Sequence, residues 1–195
     1  MSDDELSEKP IRAPRLDLVL LSRPLMDEII AGDRRGAQAL ARFALAEELF
    51  SGSPDDVAYF SMRRDQVLRD PSWAPWSQRA IVLRHENVMI GTATFHGPPG
   101  VNDTSTPGAA EVGYEIFPAY RSRGFATEAG RTLIDWACRE HGVTHSISGV
   151  EPRNLPSLRV NEKLGLVPTG RIVDGELIFE LHLTPACGHR SRVET

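Results

Sequence analysis

Arg121, Arg123 and Gly124 stand in the hexapeptide RSRGFA, between a strand-like run (EVGYEIF, from Glu111) and a helical one (GFATEAGRTLIDWACREHG). A helix N-terminus presents unpaired N–H groups and a partial positive charge, and phosphate binds there readily. The arginines add charge, and a glycine lets the backbone approach a ligand closely. The chemistry implied is anion binding at a helix mouth. The loop is not a Walker A motif, because no Gly-Lys-Ser/Thr follows. Nor is it a dinucleotide fingerprint, because Ser122 and Phe125 stand where glycine is needed. Taken alone, the hexapeptide fits a basic helix entry with a packing glycine equally well.

Other residues add chemistry around this mouth. By the period of two along a strand, Glu111, Gly113 and Glu115 share one face, while Val112, Tyr114 and Ile116 take the other as core. Asn154 is placed to cap the segment NLPSLRVNEKLG, with Ser157 in its first turn. His96 ends a strand and His145 begins one. A lone strand-end histidine is more often partly exposed than catalytic. Two tryptophans in WAPW (Trp73 to Trp76) could wall an acceptor pocket, although a packed corner is the plainer reading. No Cys/His/Asp group has metal-ligand spacing, so no metal is expected.

The elements that must position these residues follow from pattern. LDLVLLS reads as a strand. RPLMDEIIAGD, the alanine-rich GAQALARFALAEELF, and SPDDVAYFSMRRDQVLRD read as helices. QRAIVLR and VMIGTATFH read as strands joined at HEN. A long Gly/Pro-rich loop at 97–110 precedes EVGYEIF, and loops of that length are often functional. A helix, the strand HSISGV, a second capped helix and the strands LVPTGRIV and ELIFELHL complete the chain. The order βααα, ββ, β, α, β, α, ββ predicts an α/β (α+β) fold with one mixed sheet and helices packed on it. Residues 1–12 and 185–195 read as flexible tails around a single domain, 13–184.

The chain has 195 residues, with 22 Lys and Arg against 27 Asp and Glu and a formal charge of −5. That balance argues against a general nucleic-acid binder and mildly favours a cationic partner. Two cysteines, Cys138 and Cys187, form no framework, which suits a reducing cytoplasm. No apolar run is long enough to span a membrane, and MSDDELSEKP has no signal-peptide core.

With Arg121, Gly124 and Ala126 in the pattern Arg-x-x-Gly-x-Ala, EVGYEIFPAYRSRGFATEA resembles the coenzyme A motif of the GCN5-related N-acetyltransferase (GNAT) family. NLPSLRVNEKLGL is similar to the late helix of its ribosomal-protein alanine/serine acetyltransferases. The strong match runs from Glu111 to about Leu166. The resemblance implies a mostly antiparallel sheet splayed at two parallel strands, EVGYEIF and HSISGV, with helices on both faces. It implies acetyl-CoA as co-substrate. The pantetheine arm would bond open backbone near Ile116 and Phe117, with Asn154 contacting it. The pyrophosphate would sit on the N–H groups from Arg123 through Gly124, Phe125 and Ala126 to Thr127, with Arg121 and Arg123 adding charge.

The reaction implied is direct attack by a primary amine on the thioester in a ternary complex. Glu111 would be the base and Ser157 would face the leaving sulfur. Many members carry a tyrosine as acid where this chain has Asn161, which moves weight to Ser157. The acceptor would be an amine-bearing peptide, protein or small molecule, and a homodimer stays open. The contrasting reading is an acyl-CoA-binding or regulatory module with weak catalysis, which would hold CoA but release no thiol.

Overall fold

A computed structural model describes residues 9–184. The first eight residues and the expected tail 185–195, with Cys187, lie outside it. The folded part starts two residues earlier than expected. Ile11–Arg12 forms a short strand, β1, paired antiparallel with β2 (Leu16–Leu20). Ile11 sits opposite Leu18 and is buried, so an apolar residue in a charged segment draws the chain onto the sheet edge.

Three helices follow: α1 (Arg23–Ala31), α2 (Arg34–Leu40) and α3 (Pro54–Arg69). The hydroxyls of Ser22 and Ser53 cap α1 and α3. The helix expected from Gly36 to Phe50 breaks after Leu40, where Ala41 is extended. Alanine and leucine favour helix, but tertiary bonding overrides them here. Gln38 donates to Phe43 O and accepts from Leu45 N, and Ala44 bridges Val88 beside the sheet. The break buries Phe43, Leu45 and Leu49, and the segment resumes as a 3-10 turn at Glu47–Phe50.

The remaining elements are β3 (Arg79–Leu83), β4 (Val88–Phe95), β5 (Ala110–Ile116), α4 (Phe125–His141), β6 (His145–Val150), α5 (Leu155–Leu164), β7 (Val167–Val173) and β8 (Glu176–His182). They complete an eight-stranded sheet in the order β1-β2-β3-β4-β5-β6-β8-β7. Alternation splits the core into two layers. Ile81, Leu83 and Val112 join Leu133 and Ile134 of α4 on one face, while Ala80, Val82 and Met89 join Leu25, Ile29 and Phe60 of α1 and α3 on the other. The tryptophan corner is packing. Trp76 is buried edge-on against Phe95 and Trp136.

One junction matters for function. All other pairs in the sheet are antiparallel, but β5 and β6 run parallel and pair only at Ala110↔Ser146 and Glu111↔Ile147. Since β5 continues to Ile116 and β6 to Val150, the strands part beyond Glu111 and leave backbone unpaired on both sides of a gap.

Candidate active site

Helix α4 starts at the predicted mouth. Gly124 is its N-cap, at φ 82°, and no side chain caps the turn. The first N–H groups of a helix have no intrahelical acceptor, so those of Phe125, Ala126 and Thr127 face the cleft those residues line. The arginines do different work. Arg121 Nε donates to Ile116 O at 2.7 Å and its guanidinium lies 3.8 Å from Glu115, so it ties the loop back to β5. Arg123 lies over the rings of Tyr120 and Phe125.

A third arginine, which the sequence pattern did not offer, completes the mouth. Arg15 donates from its backbone and Nε to the Glu128 carboxylate at 2.7 and 2.6 Å, and stacks on Phe125 at 4.5 Å. It also bonds Arg123 O.

The backbone open to the gap differs from expectation. Phe117 N–H bonds Ile90 O, and Ile116 O accepts from Arg121. His96 N–H bonds Glu111 O, so hydrogen-bonding direction alternates along β5. Glu111, Gly113 and Glu115 turn their main chain to β4, while Val112, Tyr114 and Ile116 turn theirs to the gap. Tyr114, not Phe117, therefore supplies the free groups.

A cleft of about 720 Å³ joins this gap to the helix mouth. Of the expected site residues, Ile116, Arg121, Gly124, Phe125, Ala126, Thr127, Asn154 and Ser157 line it; Arg123 and Phe117 do not. The Asn154 side chain accepts from Ser157 N–H at 3.2 Å, so it caps α5 and holds Ser157 at the wall. Asn161 is fully buried, donating to Ser148 and accepting from the Tyr114 hydroxyl at 3.4 Å. Thus a tyrosine does reach the cleft, from β5 rather than from α5. Burial pushes its phenol up to about 12, which keeps it protonated near neutral pH.

Glu111 sits on the opposite side of β5 and is fully buried. Its Oε2 accepts the Asp103 N–H at 2.8 Å and lies 3.6 Å from His96 Nδ1. His96 in turn lies 3.0 Å from Asp103 Oδ2. Its Nε2 reaches toward Gly113, within 3.6 Å of where a Cβ would stand. A second cavity of about 540 Å³ opens here, lined by His96, Asp103, Glu151, Arg153, Asp174 and Glu176. Glu176 comes from the tip of the β7–β8 hairpin. Gly149 makes room for it: a Cβ there would collide with Glu176 Oε2 and stand 3.5 Å from Glu111 Oε1. Desolvation first, and the Glu111 charge next, push the Glu176 carboxyl above its ordinary value. The β6–α5 connection contributes to both linings: Glu151 and Arg153 to the second cavity and Asn154 to the first.

The profile of the acetyltransferase (GNAT) domain matches residues 33–167. The chain belongs to the GNAT acetyltransferase family. Among curated relatives, it is 29% identical to the uncharacterized N-acetyltransferase YnaD of Bacillus subtilis over 86 residues, 44% of this chain and 47% of that protein. It is 26% identical to the uncharacterized N-acetyltransferase YjdG of the same organism over 153 residues, 78% of this chain and 86% of that one. Among solved structures it is similar to RimL, a ribosomal L7/L12 α-N-protein acetyltransferase in complex with coenzyme A. The TM-score is 0.60 at 12% identity, covering 90% of this chain and 98% of that one. It is also similar to the microcin C7 self-immunity acetyltransferase MccE, in complex with acetyl-CoA and AMP. There the TM-score is 0.58 at 13% identity, covering 89% and 94%. At these identities the structures establish the GNAT fold.

Within that fold, four residues escaped the motif reading: Arg15, Tyr114, Asp103 and Glu176. Arg63 is a fifth. It is buried and donates to Trp76 O, Phe95 O and His96 O at 2.9, 2.7 and 3.0 Å, fixing the end of β4 that carries His96. Its sequence signal is an arginine on the core side of α3, which is uncommon unless paired.

Proposed function

We propose that this GNAT protein transfers an acetyl group from acetyl-CoA to a primary amine by direct attack in a ternary complex. The observation that carries the reading is the parted β5–β6 junction, which opens directly onto a helix mouth with no side-chain cap. An extended, amide-bearing arm fits main chain that lacks a strand partner, and a pyrophosphate fits N–H groups that lack an acceptor. The residues present suit coenzyme A: Tyr114 and Ile116 for the arm, and Gly124 to Thr127 for the phosphates, with Arg123 near them. Acetyl-CoA supplies the activated acyl group.

The chain's own groups divide the remaining work. A side-chain or terminal ammonium, with a pKa of about 10 or about 8, must lose a proton before attack. Glu111 takes it, directly or through water, braced by the Asp103 N–H. Backbone N–H groups turned into the gap stabilise charge growing on the carbonyl oxygen. Ser157, held by Asn154, is the hydrogen-bond donor available to the leaving sulfur, since the Tyr114 hydroxyl already donates to Asn161. The acceptor enters through the second cavity. Its carboxylates Asp103, Glu151, Asp174 and Glu176 outnumber Arg153 and favour a positively charged amine. The ribosomal-protein substrate named for RimL makes a protein N-terminus one candidate.

A specific observation favours a second reading of the base. His96 is partly exposed while Glu111 is buried, so the His96–Asp103 pair could collect the proton instead.

The test is a thermal-shift titration with acetyl-CoA, then a free-thiol assay over amines and N-terminal peptides. Native-state binding raises the melting temperature, and one amine class releases thiol. A shift without thiol release from any acceptor favours a binding module. No shift at millimolar acetyl-CoA refutes the proposal. Glu111→Gln and His96→Asn, compared in the same assay, decide between the bases.

A further inference from the structure

Strands β6 and β8 set His145 directly opposite His182, and Glu180 stands two residues before His182. The period of two puts all three side chains on one face of the sheet. Their ligating atoms lie within 4.8 Å of one another. His145 Nε2 is 3.2 Å from one oxygen of Glu180, and His182 Nε2 is 3.7 Å from the other. The imidazole rings stack with centroids 4.2 Å apart and planes 22° apart. We propose that His145, Glu180 and His182 form a binding site for a divalent transition-metal ion of the zinc type.

The donor chemistry supports this class. Two imidazole nitrogens and a carboxylate suit zinc, copper or nickel, whereas magnesium and calcium prefer oxygen alone. Three protein ligands with a fourth position left to water is a common zinc arrangement. Tetrahedral ligands about 2.1 Å from a zinc ion stand about 3.4 Å from one another, so the spacing suits the ion, and one imidazole must rotate out of the stack to aim its nitrogen at it. The His182 side chain is 69% exposed and free to do so, while His145, at 18%, is held in place.

A second spatial group, His96, Asp103 and Glu111, is the weaker candidate. It offers one imidazole, and its Glu111 oxygen already accepts the Asp103 N–H. The proposed site is separate from the acceptor cavity, whose lining includes none of the three ligands. Register links Glu111 to Ile147 and Ile147 to Glu180, which places the site two strand spacings, about 10 Å, from Glu111 on the same face. A bound ion would clamp β6 to β8 on the face of the sheet that carries Glu111. The sequence could not suggest it, because His145 and Glu180 are 35 residues apart and only strand pairing brings them together.

The experiment uses the untagged full chain, stripped with chelator and desalted, and titrated with zinc chloride by calorimetry. Cobalt(II) serves as a spectroscopic substitute. The expected result is one equivalent bound with micromolar or tighter affinity, a raised melting temperature, and visible cobalt bands. His182→Ala, at an exposed position, should keep the metal-free melting temperature and weaken zinc at least tenfold. His145→Ala and Glu180→Gln should do likewise. His96→Ala and the double variant Cys187→Ala/His189→Ala should bind as the parent does. Absence of saturable binding overturns the proposal. So does binding that survives His182→Ala but is lost with His96→Ala or with the double variant. None of these readouts depends on acetyl transfer.

Discussion

Replacing Gly124 with alanine separates a helix-mouth binding role from a merely conformational one. Gly124 lies at φ 82°, and an added Cβ would meet nothing closer than Arg15 Nη2, at 3.6 Å. That is ordinary contact, so the structural penalty is backbone strain alone, about 1–2 kcal/mol for a left-handed residue that carries a Cβ. For a domain of this size the melting temperature should fall by about 2–8 °C. The same helix provides a matched control. Gly142 caps its other end at φ 68°, with nothing within 4 Å of an added methyl group. Gly142→Ala should therefore lose about as much stability. Only the Gly124 methyl stands where the pyrophosphate is proposed to sit. Isothermal titration with coenzyme A should show Gly124→Ala at least tenfold weaker, about 1.4 kcal/mol, with Gly142→Ala within about twofold of the parent. Equal affinities for both variants, at equal stability loss, would refute the assignment of the mouth. A Gly142→Ala protein that loses as much affinity would show that helix stability, not the methyl at the mouth, controls binding.

Four further outcomes follow from the site. Glu111→Gln keeps an oxygen for the Asp103 N–H, so it should leave acetyl-CoA affinity unchanged and lower kcat by roughly 10²–10⁴; an undiminished kcat removes Glu111 from the reaction. Glu176 has a raised folded-state pKa. Its native carboxyl is penalised once pH rises through that value and unpenalised below the unfolded value. Glu176→Gln should accordingly raise the melting temperature at pH 7 and not at pH 4, and a gain at both would point to another cause. Tyr114, pushed up to about 12 by burial, contributes stability that is present below pH 10 and lost toward pH 12. Denaturation midpoints of the parent should therefore fall faster over that window than those of Tyr114→Phe. Arg63→Met removes the donor from the carbonyls of Trp76 and His96, at about 1–3 kcal/mol each, while Phe95 O keeps the Thr94 hydroxyl. Urea unfolding should show a loss on the order of 3 kcal/mol or more, and a loss under 1 kcal/mol would mean water replaces the guanidinium.

Local pattern was sufficient for β3 to β8, α3, α4 and α5, because each carries its own periodicity and capping residues. It was also sufficient for the helix mouth, since strand, loop and helix are contiguous there. It failed wherever a distant residue decides the matter. Helix α2 stops because Ala44 bonds beside Val88, which no local propensity encodes. Arg15 reaches Glu128 from 113 residues away, and Glu176 meets Glu111 only through the closing hairpin. The expectation of no metal rests on spacing along the chain, which describes ligands on loops and helices but not side chains gathered across strands. Tyr114 was read as core because its alternation is that of a core residue. Its ring does pack there, while the residue also lines the cleft.

The burial of Glu111 changes how the site must be understood. A fully buried carboxylate is not free to choose its orientation. Here the Asp103 N–H sets it, and Asp103 belongs to the 97–110 loop. That loop is tied internally, with Asn102 accepting from Thr106 N and Thr104 Oγ1 and donating to the carbonyls of Thr106 and Ala109. It is tied externally by Arg171 of β7, which donates to Thr104 O. Residues that line the second cavity, the proposed acceptor entrance, therefore also aim the proposed base. The cleft proposed for the cofactor draws its walls from β5, α4 and α5 instead. Substitutions in the 97–110 loop can then change acceptor choice and catalytic rate together while leaving the helix mouth intact. That division explains physically why the motif for coenzyme A was legible in this chain and the identity of its acceptor was not.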